Sequence, residues 1–187
     1  MGAFVICILL ATVTVGKNSI NLYYPEDTTK NMFSNILSES KSTINIIAKE
    51  NLTSKNMENR LLEYMTFISR VGEEHKINLS GYFLVAMPTG NNLNVTLVNF
   101  NKKPMTDIKI YVNASEKTIS SLTHNNATTI TFTDVSDYLK FNYTYSEYNG
   151  TAAETLSEEI NTTKRIFSYI KLRFLSGEDI KQSVSFN

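Results

Sequence analysis

The chain opens on an unbroken apolar run. Gly2 to Gly16 (GAFVICILLATVTVG) carries no charge before Lys17. A helix that is apolar on every side must be buried, in lipid or in protein. Fifteen residues at about 1.5 Å each reach about 22 Å, short of a hydrocarbon core of about 30 Å. Continuing through Ile20, Leu22, Tyr23 and Tyr24 lengthens the helix to about 34 Å, with an amphipathic last third. Three fates fit this pattern: a secretory signal, a membrane anchor, or a helix packed against copies of itself. No basic region precedes the run and it lacks a clear small-x-small cleavage site. Retention of the segment is therefore expected, with self-packing as the leading reading.

Pro25 stops or kinks this helix. Glu26, Asp27 and Thr28 then supply capping chemistry and early negative charge for the next one. Met32, Phe33, Ile36, Leu37, Ile44, Ile47 and Ala48 recur at helical spacing, and Ser40 fills the missing step. This predicts a helix over about 27–50. Asn51-Leu52-Thr53-Ser54 breaks the pattern and offers a new cap. Met57, Leu61, Tyr64, Met65, Ile68 and Val71 follow in steps of three and four, which predicts a helix over about 54–74.

The period changes after His75. Residues 81–88 (GYFLVAMP) form a continuous apolar run. Residues 92–100 alternate, with Leu93, Val95 and Leu97 on one face. Residues 107–113 alternate strictly, with Ile108, Ile110 and Val112 together. Residues 128–133, 138–145, 166–175 and 180–186 read as further strands, rich in Thr, Tyr and Phe. Residues 101–104 read as a turn, and 150–161 as a polar loop or short helix. Seven or eight short strands at regular spacing predict an antiparallel β-sandwich.

Composition narrows the function. Lys and Arg total 18 and Asp and Glu total 18, so the chain lacks the basic footprint of a nucleic-acid binder. Only 19% of residues are charged; 21 Asn, 18 Ser and 21 Thr supply the polarity instead. The single cysteine, Cys7, precludes an intramolecular disulfide or a cysteine-based zinc site, and inside the apolar run it reads as a small buried hydrophobe. These features point to an extracellular or surface protein.

Eight Asn-x-Ser/Thr sequons occur, at Asn51, Asn78, Asn94, Asn113, Asn126, Asn142, Asn149 and Asn161. That is about twice what the composition gives by chance, and it reads as N-glycosylation of an exported surface. Asn94 falls on the opposite parity from Leu93 and Val95, and Asn113 on the opposite parity from Ile108, Ile110 and Val112. Both are expected on the solvent face.

Catalytic constellations are sparse. There is no G-x-S-x-G, H-E-x-x-H, phosphate-binding loop or dinucleotide fingerprint. Glu73-Glu74-His75 lies at a predicted helix end, where an imidazole suits the dipole. His124 sits in a turn, so a serine triad is not expected. Asp134, Asp137 and Glu147 do not make a compact calcium loop. No metal, no cofactor and no enzymatic activity are expected, with N-linked glycans the only added groups.

An apolar N-terminal helix, a proline break, an amphipathic helical segment and a Thr- and Asn-rich sandwich together resemble archaeal type IV pilins and archaellins. Gly2-Ala3-Phe4-Val5-Ile6 looks like the mature edge of a class III signal. Residues 93–113 (LNVTLVNFNKKPMTDIKIYVN) are similar to paired strands of archaeal extracellular immunoglobulin-like domains. The basic residues that precede a prepilin cleavage site are missing, so the chain is either already mature or not a prepilin.

The resemblance implies an α+β architecture: an apolar assembly or anchor helix (1–24), an amphipathic helical stalk (25–76) and an antiparallel immunoglobulin-like β-sandwich (77–187). It implies a filament subunit at the cell surface, used in adhesion or surface contact. Its partner would be itself as a homopolymer, and the membrane before assembly. Phe4, Val5, Ile6, Ile8, Leu9, Leu10 and Val13 would form the assembly core. The alternative is a monomeric, membrane-anchored binding module.

Overall fold

The computed structural model describes residues 25–50, 53–75, 79–148, 153–163, 165–173 and 179–185. The chain divides into two units, Met1–Asn35 and Ile36–Asn187. The described part of the first unit is helical. It is the opening stretch of helix α1 (Pro25–Lys49).

In the second unit, α1 continues to Lys49 and is followed by helix α2 (Ser54–Glu74) and nine strands. Thr53 caps α2 by accepting the Asn56 N–H at 3.4 Å. The stripe Met57, Leu61, Met65 and Ile68 is buried, as helical spacing requires. On α1, Ile36, Leu37, Ile44, Ile47 and Ala48 are buried with Ser40 among them. Tyr64 of α2 donates its hydroxyl hydrogen to Ser40 Oγ at 2.9 Å, which gives this buried serine its partner.

The strands are β1 (Ser80–Thr89), β2 (Asn92–Asn99), β3 (Met105–Val112), β4 (Ser115–Leu122), β5 (Asn126–Phe132), β6 (Tyr138–Tyr148), β7 (Ala153–Thr163), β8 (Phe167–Arg173) and β9 (Asp179–Ser185). They form a five-stranded sheet in the order β5-β2-β1-β8-β9 and a four-stranded sheet in the order β4-β3-β6-β7. Every pairing is antiparallel.

The inner faces of the two sheets meet in one core. Tyr82, Leu84 and Ala86 of β1 and Leu93, Val95 and Leu97 of β2 face Ile108, Ile110 and Val112 of β3 and Leu139, Phe141, Tyr143 and Tyr145 of β6. Helix α2 covers the outer face of the five-stranded sheet over β2 and β5, and the Tyr64 ring stacks on Phe83 of β1 at 6.2 Å. A strand covered on both sides reads as a continuous apolar run rather than an alternating one. That is why Gly81 to Met87 are all buried. The same holds for β8, where even Ser168 and Lys171 are buried.

These elements correct the expected α+β architecture. The described chain is predominantly β, with two sheets and only two helices. The helical stretch does not project as a stalk ahead of an immunoglobulin-like sandwich. An amphipathic stripe must be covered by something, and α2 finds its cover on the outer face of the larger sheet. Among the described residues no helix is long and apolar enough to cross a membrane. The expected N-terminal helix over 1–24 lies outside the described residues.

Two strands escape the sequence pattern. The stretch expected as a loop or short helix at 150–161 is largely β7, and SEKTISSL forms β4. Both are edge strands of the four-stranded sheet. Such a strand is specified by backbone pairing with one neighbour, and β4 is exposed at almost every position, so it carries little apolar alternation. In β3 a bulge at Asp107, with φ of 51°, shifts the pairing with β6 between Thr106 and Lys109. The bulge keeps both Met105 and Ile108 turned into the core.

Candidate functional site

Two places carry polar chemistry: the sequon asparagines on the strands, and a small cleft at the end of α2. Of the expected site residues, Phe4, Val5, Ile6, Ile8, Leu9, Leu10 and Val13 lie outside the described residues, as do Asn51, Asn78 and Asn149. The other five sequons are in place, and their surroundings differ sharply.

Asn113 is exposed, but it is not a strand residue. It begins the two-residue turn between Val112 and Ser115 with φ of 54°, a left-handed conformation that asparagine tolerates better than most residues. Its side chain then reaches across the sheet end. Nδ2 donates to Ser136 Oγ at 3.0 Å and to the Tyr138 carbonyl at 3.1 Å. Oδ1 accepts the Lys140 N–H at 2.8 Å. Its own backbone N–H donates to the Lys140 carbonyl, also at 2.8 Å. The side chain thus pins the β3–β4 turn to the start of β6.

Asn94 faces away from Leu93 and Val95, but that face of β2 is not solvent. It is the face under which Thr96 and Val98 are buried. Asn94 is half-buried, with Nδ2 donating to Thr89 at 3.3 Å and Oδ1 accepting from Thr131 at 2.7 Å. Asn142 is half-buried on β6, paired across to Tyr111 on one side and Glu159 on the other.

Asn126 and Asn161 are exposed. Asn126 opens β5 directly after a turn in which Asn125 has φ of 54°. Its Oδ1 accepts the Ala127 N–H at 2.9 Å. Asn161 lies near the end of β7, and its Oδ1 accepts the Tyr138 hydroxyl at 3.0 Å.

The cleft has a volume of about 140 Å³. Ser69 and Glu73 of α2 line it, with Leu79, Phe100 and Lys102 from the loops flanking β1 and β2, and His124 and Asn125 from the β4–β5 turn. The fold thus brings together Glu73 and His124, which the sequence left apart at a helix end and in a turn. Lys102, Ser69 and Asn125 had no sequence signal beyond their polarity.

His124 Nδ1 lies 2.7 Å from the Asn101 carbonyl. A carbonyl can only accept, so Nδ1 carries the hydrogen. The ring is held by that carbonyl and not by a carboxylate, and it bonds neither Ser69 nor Glu73. The contact between nucleophile and base that covalent catalysis requires is not built here. His75 ends α2, its backbone N–H shared between the Val71 and Gly72 carbonyls.

Among the described residues no group of three or more His, Cys, Asp or Glu side chains is placed to hold a metal ion. Asp134 and Asp137 are exposed on the β5–β6 connection.

No protein-family model, no curated protein and no solved structure matches the chain.

Proposed function

We propose that the chain is a cell-surface structural module that works by contact rather than by turnover. Its apolar run at 2–16 holds it to the membrane, and its β-rich domain is displayed outside, carrying N-linked glycans. The observation that supports this most is the placement of the described sequons. Asn94, Asn113, Asn126, Asn142 and Asn161 all lie outside the core between the sheets. Along the chain, uncharged Asn, Ser and Thr outnumber the charged residues, 60 to 36.

The test is expression of the full chain in a host with a glycosylating secretory route, followed by membrane fractionation and enzymatic deglycosylation. A membrane-bound product that detergent releases, and that loses mass on deglycosylation, supports the reading. A soluble, sugar-free product overturns it.

A second reading is a pilus-like homopolymer. The apolar character of residues 2–16 on every side favours it, because such a helix can be buried by its own copies. Non-closing contacts between copies would give an open fibre, with Phe4, Val5, Ile6, Ile8, Leu9, Leu10 and Val13 in its core. Negative-stain microscopy separates the two. Fibres of uniform width that persist in detergent favour the polymer, and dispersed particles favour the anchored module.

A further inference from the structure

We infer that the fold selects among its own sequons: Asn126 and Asn161 are the glycan acceptors of the folded domain, and Asn94, Asn113 and Asn142 are withheld. The biological use of these sites rests on the surface-module reading. The selection itself follows from hydrogen bonding and strand position.

N-glycosylation forms a bond between the asparagine Nδ2 and C1 of the sugar. It breaks the bond from C1 to the diphosphate of an activated sugar donor. The diphosphate leaves with the electron pair, and one Nδ2 proton passes to a base of the transferase. An asparagine therefore enters with two N–H donors and leaves with one. It must also present Nδ2 to the transferase before reaction.

Asn113 fails on both counts. Its two N–H donors are already spent on Ser136 and Tyr138, and its Oδ1 on Lys140. Adding a sugar removes one of these bonds and forces the others open. Asn94 has both amide atoms engaged, with Thr89 and Thr131. It also lies in a strand paired on both sides, by β1 and β5. Asn142 sits between two paired neighbours in β6.

The two open sites share a different arrangement. In each, Oδ1 is the atom that is bonded, to the Ala127 N–H in one case and the Tyr138 hydroxyl in the other. Both residues are exposed. Both lie on edge strands, β5 of the larger sheet and β7 of the smaller. An edge strand has one partner to release, so it yields to a transferase more readily than a central one.

The experiment treats the recombinant chain with a soluble asparagine glucosyltransferase and a nucleotide-diphosphate hexose. One sample is native and the other is its tryptic peptides. Occupancy at each sequon is read by peptide mass spectrometry. In the native sample, Asn126 and Asn161 should be occupied, with Asn94, Asn113 and Asn142 at least about tenfold lower. In the peptides, all five should react within a few-fold of one another. Ser136→Ala, which removes one partner of Asn113, should raise native occupancy at Asn113 toward that of Asn126.

Native occupancy at Asn94, Asn113 or Asn142 equal to that at Asn126 overturns the inference. So does a native sample in which Asn126 and Asn161 fail to react. Because the transferase acts on purified protein, a chain that carries no glycan from its expression host sinks the surface-module reading without changing this result.

Discussion

The Tyr82 hydroxyl of β1 lies 2.8 Å from the Tyr143 hydroxyl of β6, deep between the two sheets. The pair is the centre of a four-tyrosine cluster. The Tyr82 ring meets Tyr143 edge-on at 6.2 Å and Tyr145 edge-on at 5.2 Å, and stacks on Tyr169 at 5.8 Å. β1 and β8 belong to one sheet and β6 to the other, so this polar bond and its rings join the layers. Burial drives the Tyr82 pKa far above the ordinary phenol value, with the neighbouring tyrosines adding to the shift. The hydroxyl stays protonated and serves as a structural donor or acceptor.

Removing one hydroxyl of the pair leaves the other buried without this partner. Tyr82→Phe should therefore destabilise the fold by about 1–3 kcal/mol. The double variant Tyr82→Phe/Tyr143→Phe should cost less than the sum of the two single changes, because the bond between the two hydroxyls can be lost only once. Urea unfolding of the three variants measures this. Additive costs would show that the bond carries no coupling.

Tyr64 gives a pH test. Burial raises its pKa to about 12, against the opposing effect of its bond to Ser40. In the unfolded chain it ionises near the ordinary value of about 10. The unfolded state therefore releases a proton first as pH rises. The stabilisation is fully present below pH of about 10 and is lost between about 10 and about 12. Thermal melts across that range should show a falling midpoint, and Tyr64→Phe should make the fall shallower. An unchanged slope in the variant would remove Tyr64 from the account.

Gly81 and Gly90 make a paired test. Gly81 has φ of 155°, and a methyl built there would overlap the Lys171 carbonyl oxygen and close on the Phe100 ring. Gly90 has φ of 59° in the β1–β2 turn, with open space around it. Gly81→Ala must separate β1 from β8 and should cost about 2–4 kcal/mol. Gly90→Ala pays only for a left-handed backbone, about 1 kcal/mol. Chemical denaturation of both variants checks the ranking.

The Asn113 clasp can be tested without any sugar. Asn113→Gly keeps the left-handed backbone accessible and removes the three side-chain bonds. It should cost about 1–3 kcal/mol. Amide exchange at Lys140, whose N–H bonds Asn113 Oδ1, should speed up locally. Protection at Lys140 unchanged from the parent chain would mean that the side chain contributes nothing to that end of the sheet.

Much of this was legible along the chain. Helical spacing from Met57 to Ile68 marks the buried face of α2, and the alternation from Ile108 to Val112 marks the inner face of β3. Ser40, an apparent gap in the stripe of α1, is a buried position that a hydroxyl from Tyr64 makes tolerable. These features are local, since side-chain periodicity follows directly from backbone geometry. β4 and β7 were not legible, because edge strands are fixed largely by a partner distant in sequence. The alternation places Asn113 outward at a strand position, and it is exposed, but in the turn that follows the strand. Its role as a clasp depends on Ser136, Tyr138 and Lys140, which only the sheet brings near.

The sequence by itself determined the two described helices, most of the strands, the balanced charge, the apolar run at 2–16 and the number of sequons. Composition and period carry all of these. Tertiary structure decided that α2 lies on a sheet rather than extending as a stalk, because the outer face of β1, with Phe83 and Val85, is apolar and needs cover. It also decided that four tyrosines from β1, β6 and β8 meet, and that the near-identical sequons Asn-Ala-Ser and Asn-Ala-Thr are clasped at Asn113 and open at Asn126. A sequon is three residues long, but the availability of its amide nitrogen is set by hydrogen-bond partners that pairing across strands supplies.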